Sequence, residues 1–289
     1  MTHRPCPTAA ARGFTLVELI VVLVVIGVLG ATLAVFFRPA FDAWLGARSR
    51  ASLVAEADHA LRRMQQDIRL AVPNSIRAPN DQCFELVPTS AGGRYRRAAD
   101  TVNAGSQPAD ASQATSSFDV LSPLATLPSA GDWLVVDNQN PNDVYSGVNR
   151  SAITAISTPA ASLGRHRIAL NALQFPLGYE GGRFVIVPDA QQAVFYVCSG
   201  TGSTLDAAGN APGRLLRLSR YGFNAAVPGS CPSTAGGVVL ATGLRSCRFL
   251  YDPNQGATQQ SGYMSLQLEF TRNGETASLL VGAHVVNTP

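Results

Sequence analysis

The first clear pattern along the chain is an apolar run from Phe14 to Phe37, in which Glu18 is the only charged residue. A helix rises about 1.5 Å per residue, so this run is long enough to cross a hydrocarbon core of about 30 Å. The pattern predicts a transmembrane helix over residues 14–38. Residues 1–13 are polar and basic, and they predict a short leader that stays in the cytoplasm, with a single pass outward after it.

Beyond Pro39 the apolar residues recur every three or four positions, which is typical of one face of a helix. This predicts an amphipathic continuation of the helix over residues 39–73, packed by one stripe against its own C-terminal domain. Pro39 has no backbone N–H and is expected to bend or open the helix locally, and Pro73 is expected to end it. The stripe consists of Trp44, Ala47, Ala51, Val54, Ala57, Leu61, Met64, Ile68 and Ala71.

Residues 74–289 contain short apolar runs separated by Gly, Pro, Ser and Thr, a pattern that predicts β-strands. Residues 263–271 alternate apolar with polar side chains, and Asn273-Gly274 then predicts a two-residue hairpin turn into a last strand over 277–286. Residues 98–117 predict a loop or a partly disordered insertion. The predicted fold is α+β, a long N-terminal helix packed on a mainly antiparallel β domain. The other predicted strands are 132–137, 183–187, 193–198, 214–220 and 248–251.

The composition indicates which partners the protein does not bind and in which compartment it folds. All 22 basic residues are arginine, and the formal net charge is only +3, so no nucleic-acid partner is predicted. Cys6 precedes the membrane segment, whereas an even set of cysteines follows it. That set predicts two disulfides in an oxidising compartment, although buried free thiols stay open as an alternative. The set is Cys83, Cys198, Cys231 and Cys247.

Sequence alone leaves three pairings of these four cysteines open. A bond between Cys231 and Cys247 is favoured, because the two lie close in sequence and flank an apolar run. No short Cys-x-x-Cys spacing suggests a metal site, and the histidines are scattered without a catalytic spacing. We therefore predict no catalytic residue, no metal and no cofactor, and a protein that is not an enzyme.

The sequence RGFTLVELI, residues 12–20, leads directly into the apolar run. It resembles the signature of type IV prepilins and pseudopilins, in which a membrane aspartyl peptidase cuts after the glycine and methylates the new terminal phenylalanine. The resemblance implies Gly13 and Phe14 as the processing site. An ordinary signal peptide fits less well, because the apolar run is long and begins with a carboxylate.

Glu18 is the residue that the resemblance implies for subunit assembly. A carboxylate is costly in lipid and needs a partner, and the terminal amine of a neighbouring subunit is a suitable one. Such a charge pair would stabilise the subunits in the correct axial register. The alternative is a carboxylate at the membrane surface that reaches water.

A second resemblance extends over the C-terminal part. The segments QCFELVP (82–88), FYVC (195–198), SCRFLYDP (246–253) and HVVNTP (284–289) look like the MshO family of minor pilins, which belongs to the mannose-sensitive haemagglutinin (MSHA) pilus and is related to PilW and GspJ. This resemblance implies a bacterial inner-membrane precursor. Its partners would be the prepilin peptidase, other major and minor pilins and the pilus assembly platform. A minor pseudopilin of type II secretion and a membrane-anchored periplasmic binding or adhesive module remain the alternatives.

Overall fold

A computed structural model of the chain describes residues 15–176, 181–253 and 261–287. Within these ranges there are two helices, α1 (Leu16–Arg69) and α2 (Asp143–Ser146). The strands are β1 (Arg77–Asn80), β2 (Cys83–Leu86), β3 (Ala91–Arg94), β4 (Thr115–Val120), β5 (Trp133–Val136), β6 (Arg150–Ser157), β7 (His166–Leu173), β8 (Arg183–Val187), β9 (Val194–Ser199), β10 (Gly213–Leu218), β11 (Val238–Asp252), β12 (Ser261–Arg272) and β13 (Glu275–Val286). The predicted α+β class, with a long helix before a mainly antiparallel β domain, is confirmed.

The chain divides into two compact units, Met1–Ser49 and Arg50–Pro289. In the first unit the described residues belong almost entirely to α1. The helix is long and apolar enough to cross a membrane, with a mean hydropathy of 3.0 over its most apolar 18 residues, none of them buried. The second unit, which we call the head, contains the last part of α1, the short helix α2 and all the strands of the described ranges.

In the head, α1 packs on a seven-stranded sheet with the order β1-β2-β9-β10-β11-β12-β13, in which every neighbouring pair is antiparallel. On β2, β9, β12 and β13 the sheet residues that meet the helix come from alternate positions, as pleating requires. Phe84, for example, stacks on Tyr196 and meets Phe249 edge to face, with both pairs of ring centroids 5.1 Å apart. The helix residues in this core are Leu53, Ala57, Ala60, Leu61, Met64 and Ile68.

The predicted packing stripe of α1 is correct only in its second half. Burial begins at Leu53, whereas Trp44 and Val54 remain 53% and 43% exposed. The helix also ends earlier than expected, at Arg69, and Ala71 already forms an isolated β-bridge. The residue before a proline disfavours the helical conformation, so the chain is extended by the time it reaches Pro73.

The second sheet has six strands in the order β3-β8-β5-β6-β7-β4. Its two outer strands meet, because Tyr95 bridges Val120 and the Leu121 N–H donates to the Arg94 carbonyl at 2.8 Å. The sheet therefore closes on itself as a small barrel. Side chains fill its interior, namely Phe118, Val120, Leu134, Val136, Ile153, Ile168, Leu170, Phe175, Phe184 and Ile186.

The predicted strands are all present, though some bounds differ. The C-terminal hairpin has the expected turn, since Asn273 and Gly274 have φ values of 53° and 75°, which the two-residue turn requires. The predicted strand 248–251 is part of the longer β11, and β4 begins inside the predicted loop 98–117. The barrel strands β3, β6 and β7 had no counterpart in the prediction, and neither did β1 and β2.

The structure places the four cysteines in two pairs at disulfide distance, Cys83 with Cys231 and Cys198 with Cys247, with Cα–Cα distances of 5.7 and 6.5 Å. The favoured pairing of Cys231 with Cys247 is therefore wrong. Cys198 and Cys247 belong to the core beneath α1, whereas Cys83 and Cys231 pack in a cluster on the opposite face of the sheet. Closeness in sequence could not reveal that a sheet separates the two residues.

Candidate processing and assembly site

The amino-terminal end of α1 carries the residues to which the sequence assigned processing and assembly. The helix begins directly after Thr15, whose hydroxyl oxygen accepts the Glu18 N–H at 3.2 Å and whose carbonyl accepts the Leu19 N–H at 3.2 Å. Thr15 is thus the N-cap, and Glu18 lies three residues on, at the spacing of a capping box. The cap satisfies an amide that would otherwise lack a partner in lipid.

Sequence reasoning missed Thr15 as a positioning residue. The signal was readable, because Thr-x-x-Glu directly before an apolar run is an N-terminal capping pattern. The consequence for function is that the start of the helix is fixed in register with Glu18, which places this carboxylate in the first helical turn. A negative charge is favoured there by the partial positive charge of the helix N-terminus.

Glu18 lies among exposed apolar neighbours. Leu16, Val17 and Leu19 are 75%, 68% and 57% exposed. Within residues 15–176, 181–253 and 261–287, no basic side chain forms an ion pair with Glu18. A carboxylate on a lipid-length apolar helix needs a partner of opposite charge. The geometry therefore leaves Glu18 available to a cationic group.

The other residues of the predicted site are placed as follows. Gly13 and Phe14 lie outside the described residues, so their role in cleavage and methylation stays a prediction. Pro39 lies inside α1, and the helix continues through it. Because proline donates no N–H, the Val35 carbonyl loses its usual helical partner there. The bend expected at Pro39 stays a prediction as well.

Two buried charged groups in the head form a pair that is not part of this site. Arg77 and Glu85 lie directly opposite each other on β1 and β2 and are 5% and 0% exposed. The Arg77 Nε donates to Glu85 Oε2 at 3.0 Å, and the Tyr221 hydroxyl donates to Oε1 at 2.8 Å. Burial raises the pKa of the Glu85 carboxyl, and the charge and hydrogen bonds of Arg77 oppose that rise.

The same guanidinium links several segments. Its carbon lies 3.4 Å from the centre of the Tyr145 ring in α2, and its nitrogens donate to Asn142 at 2.8 Å and to the Asn224 carbonyl at 2.9 Å. Asn224, Tyr221 and Cys231 all lie on the 219–237 loop between β10 and β11. Arg77 and the Cys83–Cys231 pair therefore hold this loop against the sheet, which is a structural role.

A second buried charge joins α1 to the sheet. Asp67, 5% exposed, accepts hydrogen bonds from the Tyr196 hydroxyl at 2.8 Å and from Arg217 Nη2 at 2.9 Å. The three residues belong to α1, β9 and β10. Burial and the neighbouring carboxylate raise the pKa of Tyr196, so the phenol stays protonated and donates. This contact fixes the end of the helix on the head.

The described residues contain no group of three or more His, Cys, Asp or Glu side chains placed to hold a metal ion. His166 begins β7, and His284 stacks edge to face on Tyr263 with ring centroids 5.4 Å apart. The site is therefore defined by a helix surface and one carboxylate.

Comparison with known proteins also points to the amino-terminal end of α1. Residues 8–34 match the family model of the prokaryotic N-terminal methylation motif. No curated protein and no solved structure matches the chain significantly.

The matched segment contains Gly13, Phe14, Thr15 and Glu18 together with most of the apolar run. The motif supports a type IV pilin-like or pseudopilin-like, membrane-anchored protein. It implies processing by a prepilin peptidase and assembly with other pilins, and it points to a structural rather than an enzymatic protein. The matched segment ends at residue 34, so it does not test the MshO assignment of the C-terminal segments.

Proposed function

We propose that this chain is a minor pilin of the MSHA type, stored in the bacterial inner membrane and then incorporated into a pilus by packing of its helix. The observation that carries the proposal is the exposed apolar helix that starts with a capped turn and a single carboxylate, Glu18. The disulfide-distance pairs of the head support export to an oxidising compartment. Residues 74–289 form a long segment that is rich in strands, which fits a minor subunit with a large head.

The proposed organisation has four parts. Residues 1–13 form the leader, which the prepilin peptidase removes after Gly13. Residues 14–38 form the membrane helix, with its amino terminus in the cytoplasm, and residues 39–73 continue it toward the head. Residues 74–289 form the β-rich domain outside the membrane.

During assembly the apolar helix would move from the lipid of the membrane to contacts with neighbouring helices. Lipid tails and neighbouring helices are similarly apolar, so burial of hydrophobic surface contributes little to the choice between membrane and filament. A specific charge pair can instead favour the filament over the membrane. Glu18 of one subunit would pair with the new terminal amine of Phe14 on a neighbour, and a repeated head-to-tail contact that does not close gives a filament.

A minor pseudopilin of type II secretion is the second candidate, because the methylation motif is common to both classes. The two share cleavage, methylation and helix packing, and they differ in partners. Co-purification with pilins or with secretion components separates them.

Replacing Glu18 with Ala tests the proposal. We expect leader cleavage to continue while the amount of the chain in sheared filaments falls by about tenfold or more, since breaking a buried charge pair costs about 2–5 kcal/mol. Asp42→Ala is the matched control, because Asp42 is also an exposed carboxylate on α1 but follows the apolar run. Quantitative immunoblotting of filament and membrane fractions measures both variants. Recruitment of Glu18→Ala at the level of the native chain would exclude the register role.

A further inference from the structure

The part of α1 just beyond the apolar run carries an aromatic stripe. Phe37, Phe41, Trp44 and Arg48 follow one another by four, three and four positions, so they share one side of the helix. The three aromatic residues are 66%, 62% and 53% exposed. We call these four residues the interfacial cluster.

The cluster is arranged within the helix. The Phe41 and Trp44 ring centroids lie 5.8 Å apart, and the Arg48 guanidinium carbon lies 5.5 Å from the centre of the Trp44 ring. This places a cation beside the most amphipathic aromatic side chain of the segment. Arg38 and Asp42 are the other charged residues of this stretch, and both are exposed.

Length places the cluster at a membrane boundary. From Leu16 to Phe37 the helix rises about 32 Å, which fills a hydrocarbon core of about 30 Å. Trp44 lies about 10 Å further on, and helical side chains point back toward the N-terminus, so its ring covers the preceding turn. The ring therefore falls within the headgroup layer when Leu16 lies at the opposite boundary.

The chemistry of the cluster fits lipid better than another helix. Tryptophan is enriched at membrane interfaces, where its ring is apolar and its N–H remains hydrated, and arginine binds phosphate through its planar fork. Helix contacts inside membranes favour small residues, because these let backbones approach. Bulky aromatic rings beside an arginine do not match that preference.

We propose that the interfacial cluster binds the phospholipid headgroup layer where α1 leaves the membrane, with Trp44 in the interface and Arg48 and Arg38 on lipid phosphates. The contact sets the depth at which the subunit rests before assembly. This inference rests on the proposed function, in which the subunit is stored in a membrane. Entry into a filament would require the cluster to leave this layer.

Depth-dependent quenching tests the inference on the full chain in vesicles of phosphatidylcholine and phosphatidylglycerol. The chain has two tryptophans, so Trp133→Phe leaves Trp44 as the only reporter, and Trp44→Phe gives the background from the head. We expect lipids brominated near the headgroup to quench Trp44 about twofold more than lipids brominated deep in the chains. Arg48→Gln should reduce this difference, whereas Arg214→Gln, at an exposed arginine of the head, should not.

Two results would overturn the inference. Stronger quenching by the deep label would place Trp44 in the hydrocarbon. Absence of quenching by either label would show that Trp44 does not contact the lipid. Neither result depends on filament recruitment, so failure here and failure of the Glu18 experiment are separate outcomes.

Discussion

Replacing Arg77 with Met should lower the free energy of unfolding of the head by about 3–5 kcal/mol near neutral pH, because it leaves Glu85 buried without its counter-charge. Glu85 is fully buried, and the Tyr221 hydroxyl alone would then remain on its carboxylate. The variant also loses the contact of the guanidinium with the Tyr145 ring. Urea unfolding of the full chain in detergent, followed by Trp133 fluorescence in a Trp44→Phe background, measures the effect.

The loss should depend on pH in a definite direction. Burial raises the pKa of Glu85 in the folded state above its pKa in the unfolded chain. The carboxyl therefore contributes to stability in full at a pH below its unfolded-state pKa, and this contribution is lost as the pH rises through its folded-state pKa. Without Arg77 the pKa rises further, because the attraction that opposed the rise is gone. The difference between the variant and the native chain should therefore shrink as pH falls from about 7.5 to about 5.

The double variant Arg77→Met, Glu85→Gln separates charge from shape. It removes both charges, so it should regain much of the lost stability and lose the additional pH dependence of the single variant. A single variant that loses less than about 1 kcal/mol and shows no pH dependence would mean that the pair is not buried as described.

Removal of the disulfides is the second large effect that we expect. Cys83 and Cys231 are 148 residues apart, and Cys198 and Cys247 are 49 apart. By the loop-entropy argument, replacing the first pair with Ala should cost about 5 kcal/mol and replacing the second about 4 kcal/mol. The longer loop carries the larger cost because its closure restricts the unfolded chain more.

Urea unfolding of each paired variant measures these costs, and Cys6→Ser serves as the control that should change nothing in the head. Alkylation of free thiols gives an independent readout, since only Cys6 should react in the folded precursor. Reaction of Cys231 or Cys247 in that precursor would contradict the two pairs. Such a result would also remove the argument for an oxidising compartment.

The parts of the fold that could be predicted depend on local patterns. The C-terminal hairpin was readable because β12 alternates strictly and Asn273-Gly274 specifies its turn. The membrane-length helix was readable from one apolar run with a single charged residue, and Thr15 could have been found from its spacing to Glu18. Each of these features depends on residues that are near in sequence.

The parts that were missed depend on tertiary arrangement. The register of β6 against β7 shifts between Ile153 and Ala155, and this bulge breaks the alternation that would have marked the strand. Arg77 and Glu85 meet only because β1 and β2 pair, and their spacing alone carries no signal. The exposure of Trp44 was missed for a similar reason, since a helical stripe does not show where its packing partner ends.

We propose that this chain is a prepilin-like precursor whose capped apolar helix becomes an assembly element after cleavage. Mass spectrometry of the mature amino terminus, on chain purified from cells with an active prepilin peptidase, tests it most directly. We predict a chain that begins at N-methylated Phe14. A chain that retains Met1, or one that begins near Val35 after ordinary signal-peptide cleavage, would contradict it.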